Sequence, residues 1–360
     1  MVKANVESAK TGEILLQDLQ KRYGSYLAVD NVNLSISPGE FVSLLGPSGS
    51  GKTTTLMMIA GFESPNSGQV LLDGKDITKL PSHRRELGII FQNYALFPHM
   101  TVEENVAYPL RMRRLQKPDI TAKVSNVLDQ VQLAQFATRY PHQMSGGQQQ
   151  RVAIARALVF DPPVLLLDEP LGALDKKLRQ HLRNEIKSLH NEVGKTMIYV
   201  THDQDEALAM SDRVAVMHEG RIRQVAPPQE IYQRPADLFV AGFVGEANFI
   251  PVKVEAGIAS TSTGEKLHVG DQKSGLQPGT ICVRPEHLRL EAPANSASSG
   301  LPGHVTSMTF VGDATIVHFR SENGLELTSK VFNVSNRKRL EIGEACVASW
   351  SSSDATVLAQ

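Results

Sequence analysis

The run Gly46-Pro47-Ser48-Gly49-Ser50-Gly51-Lys52-Thr53, continued by Thr54, sets a cation and a hydroxyl directly after a series of small residues. Glycine has no Cβ to hold a polyanion away from backbone N–H groups, so this run suits close approach by phosphates. Lys52 is spaced to reach the β- and γ-phosphates, and the Thr53 hydroxyl to take a place on Mg²⁺. A strand over residues 40–45 leads in, and a helix from about Thr54 leads out. That helix would present its positive N-terminal end to the phosphates. A plain glycine-rich turn has neither the Lys-Thr ending nor these flanks, so the expected ligand is a nucleoside triphosphate.

Two further groups of residues carry chemistry of the same kind. Residues 164–167 form an apolar strand that ends in Asp168 and Glu169. Beside a phosphate loop, Asp168 would hold Mg²⁺ directly or through water. Glu169 would polarise the attacking water as general base. Ser145-Gly146-Gly147-Gln148 opens a helix and makes a second anion site, a serine N-cap followed by two glycines. A single-site hydrolase needs only one such helix end.

The elements that must position these groups follow from the residue pattern. Strands are expected at 13–19, 27–36, 40–45, 69–72, 87–92, 164–167, 196–200 and 213–218, with turns at Tyr23-Gly24, Asp73-Gly74 and Glu219-Gly220. Helices are expected at 54–60, 146–160, 176–193 and 203–210, and helical periodicity over 102–115, 120–131 and 133–137 marks an insertion between strands. Strands alternating with helices imply a mainly parallel, doubly wound sheet. After Pro235 the texture changes to short β-prone runs, at 280–284, 304–310, 315–319 and 345–350, between Gly, Ser, Asp and Asn clusters. This predicts a small barrel or sandwich, with 292–300 as a surface loop.

A chain of 360 residues suggests two domains or three. A net charge of -1 gives no reason to expect nucleic acid or an anionic membrane surface as partner. Cys282 and Cys346 lie far apart without metal-ligand spacing, which favours reduced thiols in a cytoplasmic protein. Residues 1–12 are polar, unlike a signal peptide, and no run has the length of a membrane-spanning helix.

With these motifs in this order, the chain resembles an ATP-binding subunit of an ABC transporter. The resemblance implies an α/β P-loop NTPase fold over 1–242, with a helical subdomain at 93–147, followed by a small all-β OB-like domain of the TOBE type over 243–360. It implies ATP and Mg²⁺ as ligands, and a homodimer in which Ser145, Gly146, Gly147 and Gln148 of one protomer meet the γ-phosphate held by the other. Met144 stands where that family usually has Leu. Gln92 matches the glutamine that senses Mg²⁺ and the attacking water, and His202 the switch histidine on the γ-phosphate. Gly172-Ala173-Leu174-Asp175 matches the D-loop, with Gly where Ser is frequent, and Tyr23 matches the aromatic that stacks on adenine, although Tyr26 is close enough to take that role. The expected catalytic set is therefore Glu169, His202 and Gln92, and the expected metal set Thr53, Gln92 and Asp168.

The resemblance also implies partners and a place. Residues 94–100, Tyr-Ala-Leu-Phe-Pro-His-Met, are either a contact for a membrane subunit or a loop tucked into the helical subdomain, and the family favours the contact. Two permease subunits and an extracytoplasmic solute-binding protein are the implied partners, with the chain peripheral on the cytoplasmic face of the bacterial inner membrane. The stretches 243–249 and 283–287 resemble the C-terminal extension of bacterial importer ATPases; the first is similar to the junction of the spermidine/putrescine type, with ferric iron, phosphonate, sulfate and sugar importers, which have variants of both, as alternatives. A soluble ABC protein working on ribosomes or DNA would carry two cassettes or a long coiled coil, and neither is present. Arg337-Lys338-Arg339 reads as a solvated basic face.

Overall fold

The computed structural model describes residues 11–171, 176–255, 258–269, 279–293, 300–333 and 340–359. The expected D-loop, Gly172 to Asp175, and the basic cluster Arg337 to Arg339 lie outside them, as does most of the expected 292–300 loop. The chain forms two compact units, Met1–Pro228 and Gln229–Gln360.

The first unit opens with strands β1 (Ile14–Tyr23) and β2 (Tyr26–Ile36), then β3 (Phe41–Leu45), helix α1 (Lys52–Ala60), β4 (Ser67–Leu72), β5 (Lys75–Asp76) and β6 (Gly88–Ile90). Helices α2 (Val102–Met112), α3 (Lys117–Gln130) and α4 (Gly146–Leu158) follow, then β7 (Val164–Asp168), α5 (Lys176–Val193), β8 (Thr196–Thr201), α6 (Gln204–Met210), β9 (Arg213–His218) and β10 (Arg221–Ala226). Helix α2 starts where Thr101 and Glu104 form a reciprocal capping box, each side chain accepting the other's backbone N–H. Helix α1 stops at Gly61, which adopts the left-handed conformation at φ 80°.

Six strands make the central sheet in the order β10-β9-β3-β8-β7-β6, and the run from β9 to β6 is parallel. Strands β3, β7 and β8 are buried along their whole length, as an apolar run covered on both faces must be. Their side chains alternate between two cores. Phe41, Leu165, Leu167, Met197 and Tyr199 face the core shared with α2, α3 and α4. Val42, Leu44, Val164, Leu166, Ile198 and Val200 face the core shared with α1. Each fully buried Val, Leu or Ile contributes roughly 1.5–3 kcal/mol, so the two cores together hold the strand ends in place.

The second core departs from the expectation of a doubly wound sheet. Helices do not cover that face alone, because β2, β1, β4 and β5 form a separate antiparallel sheet whose Ile14, Leu16, Leu34 and Ile36 pack there with α1. Pairing of β1 with both β2 and β4, through Ile14↔Ile36 and Ile14↔Leu72, draws the first two strands out of the central sheet. Strand β10, which the sequence reading lacked, forms a hairpin with β9.

The second unit begins with short helices α7 (Pro228–Gln233) and α8 (Leu238–Phe243). It continues as strands β11 (Asn248–Glu255), β12 (Ile258–Ser260), β13 (Lys266–His268), β14 (Gly279–Val283), β15 (Arg289–Glu291), β16 (Leu301–Phe310), β17 (Ala314–Ser321), β18 (Glu326–Phe332), β19 (Ala345–Ser349) and β20 (Ala355–Ala359). Two five-stranded sheets, β13-β12-β11-β14-β20 and β15-β19-β16-β17-β18, enclose one core built from Ile250, Ile281, Val305, Val317, Phe319 and their neighbours. Compactness divides the chain at Pro228, ahead of the 242/243 boundary read from the sequence. The reason is Arg284, whose buried guanidinium donates to the carbonyls of Tyr232, Ala241 and Glu246 and ties the segment before β11 to the β unit. Cys282 and Cys346 are buried free thiols.

Candidate functional site

Parallel strands deliver their following residues to one edge of a sheet, and that edge gathers most of the expected site. Strand β3 runs into the loop Gly46 to Gly51, β6 leads to Gln92, β7 ends at Asp168 and Glu169, and β8 ends beside His202. The register fixes their relative height: Leu45 lies opposite Thr201, Asp168 opposite Val200, and Ile90 opposite Leu167.

The loop itself is built around its glycines. A Cβ on Gly46 would lie 2.3 Å from the carbonyl oxygen of Met217, and one on Gly51 would lie 2.4 Å from that of Ala28. Gly51 also has φ 96°, a conformation that L side chains rarely adopt. It caps α1 by accepting both the backbone N–H and the hydroxyl of Thr55 at 2.9 Å. Lys52 is buried and curls back over the loop, with Nζ donating to the carbonyls of Gly46 and Pro47 at 2.9 Å each. Burial lowers its pKa, and the nearby charges of Glu169 and Asp168 oppose that shift. An ammonium group held only by carbonyl oxygens and a hydroxyl is free to exchange them for phosphate oxygens.

At the next strand ends the side chains meet directly. Thr53 Oγ1 donates to Asp168 Oδ1 at 3.2 Å. Burial and the charge of Glu169 raise the pKa of Asp168, while the Thr53 bond works the other way. One carboxylate and one hydroxyl side by side suit a hard cation that takes most of its oxygens from phosphates and water. Among the described residues no group of three or more His, Cys, Asp or Glu forms an all-protein metal cage.

Glu169 is the centre of the arrangement. Its Oε1 lies 3.2 Å from His202 Nδ1, and its Oε2 accepts from Gln92 Nε2 at 3.5 Å. Its backbone has φ 43°, left-handed for a non-glycine residue, and its N–H donates to Val200 O at 3.1 Å. The bond to β8 holds a strained conformation of the kind that clusters at functional sites. The structure thus brings Gln92, Glu169 and His202 together, and Thr53 with Asp168.

Other expected residues stand elsewhere or act differently. Tyr26, not Tyr23, reaches the loop, donating its hydroxyl to Gly49 O at 3.0 Å, while the Tyr23 ring faces Lys21 Nζ at 5.0 Å. Ser145 caps α4 in a capping box with Gln148, so the Gln148 side chain is engaged in holding the helix end. Met144 is buried in the helical core, where an apolar side chain belongs. Ser145 itself is exposed, and among the described residues no hydrogen bond joins 145–148 to 46–54 in one chain. In the 94–100 loop, Tyr94 and Leu96 pack against the helical core and the Phe97 ring meets that of Tyr108 at a tilt, leaving Ala95, Pro98 and His99 exposed.

Sequence reasoning missed Glu206. It is buried on α6, and one of its oxygens, Oε2, accepts from the Tyr199 hydroxyl at 2.8 Å and the Thr201 hydroxyl at 2.7 Å. Thr201 Oγ1 in turn accepts the N–H of Asp203, so this carboxylate braces the turn that carries His202. Its place in 202–206, His-Asp-Gln-Asp-Glu, looks like an ordinary acidic helix start. Only the β8–α6 contact shows the carboxylate turned inward.

Comparison with known proteins follows the same lines. The model of the ABC transporter family matches residues 29–172, and that of the TOBE domain matches residues 281–358. The chain is similar to the spermidine/putrescine import ATP-binding protein PotA of Nitrosomonas europaea, 45% identical over 349 residues, which is 93% of this chain and 96% of the relative. It is also similar to the protein of that name in Rubrobacter xylanophilus, 44% identical over 98% of this chain and 95% of the relative. Among solved structures it resembles the dimeric ATP-binding cassette MJ0796 in a post-hydrolysis state bound to ADP and Pi, with TM-score 0.53, 36% identity, and coverage of 60% of this chain and 98% of that one. It likewise resembles cbiO1 of Clostridium perfringens, part of the ABC transporter complex cbiONQ, with TM-score 0.57, 32% identity, and coverage of 61% and 89%.

Proposed function

The chain belongs to the ABC transporter family of ATP-binding proteins, and from that premise we propose that it is the ATPase subunit that energises polyamine import, with spermidine or putrescine as cargo. The observation that carries the catalytic part is Glu169, with its two carboxylate oxygens facing His202 and Gln92 at the sheet edge that bears the phosphate loop. The relatives, similar along nearly their whole length, support the cargo class.

In this reading Lys52 leaves the carbonyls of Gly46 and Pro47 for the β- and γ-phosphate oxygens of ATP. The backbone N–H groups of the loop and the N-terminus of α1 bind the same phosphates. Thr53 and Asp168 would hold Mg²⁺, with Gln92 as the third group, and the ion supplies charge neutralisation on the phosphates. Glu169 accepts the proton of the attacking water at a carboxylate oxygen. His202 orients that carboxylate and faces the γ-phosphate, and Gln92 orients the water. Tyr26, whose hydroxyl bonds to the loop, would meet the nucleotide base, with Tyr23 opposite it in the hairpin as the other aromatic.

Ser145, exposed at the start of α4, would close with Gly146 and Gly147 on the ATP of a second copy, with Asp175 contributing at the same seam. Two permease subunits and a solute-binding protein complete the proposed importer, and the chain works at the cytoplasmic face of the membrane. No helix among the described residues is long and apolar enough to cross a membrane.

Reconstitution of the chain with the permease subunits and binding protein that co-purify with it tests the reading. Spermidine or putrescine should stimulate ATP hydrolysis, whereas sulfate, ferric iron, phosphonate or a sugar should not. Stimulation by one of those solutes would keep the ATPase and replace the cargo. Recovery of ribosomes or DNA-repair factors in place of membrane proteins would overturn the transport function.

A further inference from the structure

Arg156 lies on α4, the helix that Ser145 caps, and its guanidinium points at the loop after Gln92. Nη2 donates to the carbonyl of Tyr94 at 2.7 Å and Nη1 to that of Ala95 at 2.8 Å. The same group sits 5.6 Å from the centre of the Phe97 ring. Tyr94 and Ala95 are consecutive non-glycine residues in the left-handed region, with φ 60° and 46°. Such a pair is strained and persists only where its surroundings over-determine it. Local bonds contribute, from Tyr94 N to Phe91 O at 2.9 Å and from Ala95 N to Asn93 O at 2.7 Å. The Tyr94 hydroxyl adds a bond to Pro170 O at 3.1 Å, next to Glu169.

Arg156 is half-buried, and no carboxylate pairs with it among the described residues. A desolvated guanidinium is costly to hold, yet a simple hydrophobic residue here would leave both carbonyls without these donors. The planar fork suits two neighbouring carbonyl oxygens in a way that a lysine cannot match. Gln92, two residues before Tyr94, is exposed and makes a 3.5 Å contact with Glu169, at the long limit for a hydrogen bond. A small displacement of the turn therefore decides whether that contact exists.

We infer that Arg156 is a positioning residue for Gln92: it clamps the left-handed turn at Tyr94 and Ala95 to α4, so the helix that bears Ser145 sets the distance from Gln92 to Glu169. The inference rests on the proposed role of Gln92. It makes the water-orienting turn that follows Gln92 and the helix that bears Ser145 parts of one mechanical unit.

A double-mutant cycle on the full-length chain tests it, with Arg156→Lys, Gln92→Ala and the double variant. Lysine keeps the charge and the aliphatic stem, so the packing of α4 is retained. The measurements are kcat and KM for ATP hydrolysis and the MgATP dissociation constant by direct titration. Arg156→Lys should lower kcat by about tenfold to a hundredfold, the loss expected of a misplacement near 1 Å, and leave MgATP affinity within about twofold. In the Gln92→Ala background the same change should cost nothing further. Normal kcat for Arg156→Lys overturns the inference, as do losses that multiply in the double variant or a parallel fall in affinity. A Gln92→Ala variant that turns over normally removes the role of Gln92 and this inference with it. A slow Gln92→Ala beside a normal Arg156→Lys leaves that role standing and removes only the clamp.

Discussion

Single side chains at the sheet edge have separable duties. Lys52 contributes charge to a loop whose shape comes from its glycines, so Lys52→Ala should keep the fold and lose most nucleotide affinity, by direct ATP titration. Unchanged affinity would mean the loop does not hold phosphates. Glu169 has the opposite profile. Glu169→Gln keeps a side chain able to face Gln92 and His202 but has no basic oxygen, so it should bind ATP normally and lose turnover by about a hundredfold or more, as general-base removal does. Sedimentation of this variant with ATP should show a stable dimer, and rapid hydrolysis by it would take the base role away from Glu169. The lysine was legible in the sequence because it closes a distinctive glycine-rich run, and the carboxylate because it directly follows an apolar strand. Tyr26 was not separable from Tyr23, since the two flank the same tight turn and only the hairpin's geometry sends one hydroxyl to Gly49.

At the scale of elements, two turns carry the site, and each is held by buried groups that can be tested. Gly51 joins the loop to α1 with φ 96° and a backbone oxygen where a Cβ would stand. Gly51→Ala should cost at least about 1–2 kcal/mol from the left-handed conformation alone, visible as a lower melting temperature, with nucleotide binding impaired as well. The β8–α6 turn depends on Glu206. Glu206→Ala leaves the hydroxyls of Tyr199 and Thr201 without their acceptor, at about 1–3 kcal/mol for an unsatisfied buried group, and kcat should fall as His202 loses its support. Burial raises the pKa of Glu206 above its ordinary 4.5, against the bonds from Thr201 and Tyr199, with Asp203 raising it further and Arg179 lowering it.

The sign of the pH effect at Glu206 follows from that raised pKa. The folded chain holds this proton more tightly than the unfolded chain does. The stabilisation from Glu206 is therefore full below 4.5 and is lost as pH rises through the folded value. Glu206→Gln cannot ionise, so its denaturation midpoint, compared with wild type, should gain as pH goes from 4 to 7. A difference that stays constant with pH would show that this carboxylate does not titrate in a buried site.

At the scale of the whole molecule, the incomplete pairing of the two anion-binding helix ends is the informative feature. Among the described residues no hydrogen bond joins the Ser145 end of α4 to the Lys52 loop within one chain, and in the proposed function each of these helix ends meets an anion. Two copies would complete two sites, so a mixture of Ser145→Arg and Lys52→Ala chains should behave unlike either parent. Each single variant should be nearly inactive, while the mixed dimer holds one site with both an intact Lys52 and an intact Ser145. That dimer should recover part of the turnover, measured as phosphate release against mixing ratio. Complete absence of recovery at every ratio would argue for sites contained within single chains.

The sequence by itself determined the kind of chemistry, because phosphate binding depends on backbone N–H groups, glycine and a helix end, all of them local features written in consecutive residues. It also determined the change from α/β to all-β texture, since period and turn residues differ on either side of Pro235. Tertiary structure alone decided which strands share a sheet. It drew β1 and β2 into an antiparallel layer of their own and turned Glu206 inward. It closed Arg156 onto a turn about sixty residues away, with Nη1 bonded to the carbonyl of Ala95. Those outcomes depend on pairings between distant segments, whose energies come from burial and from satisfying backbone carbonyls, and no local pattern records them.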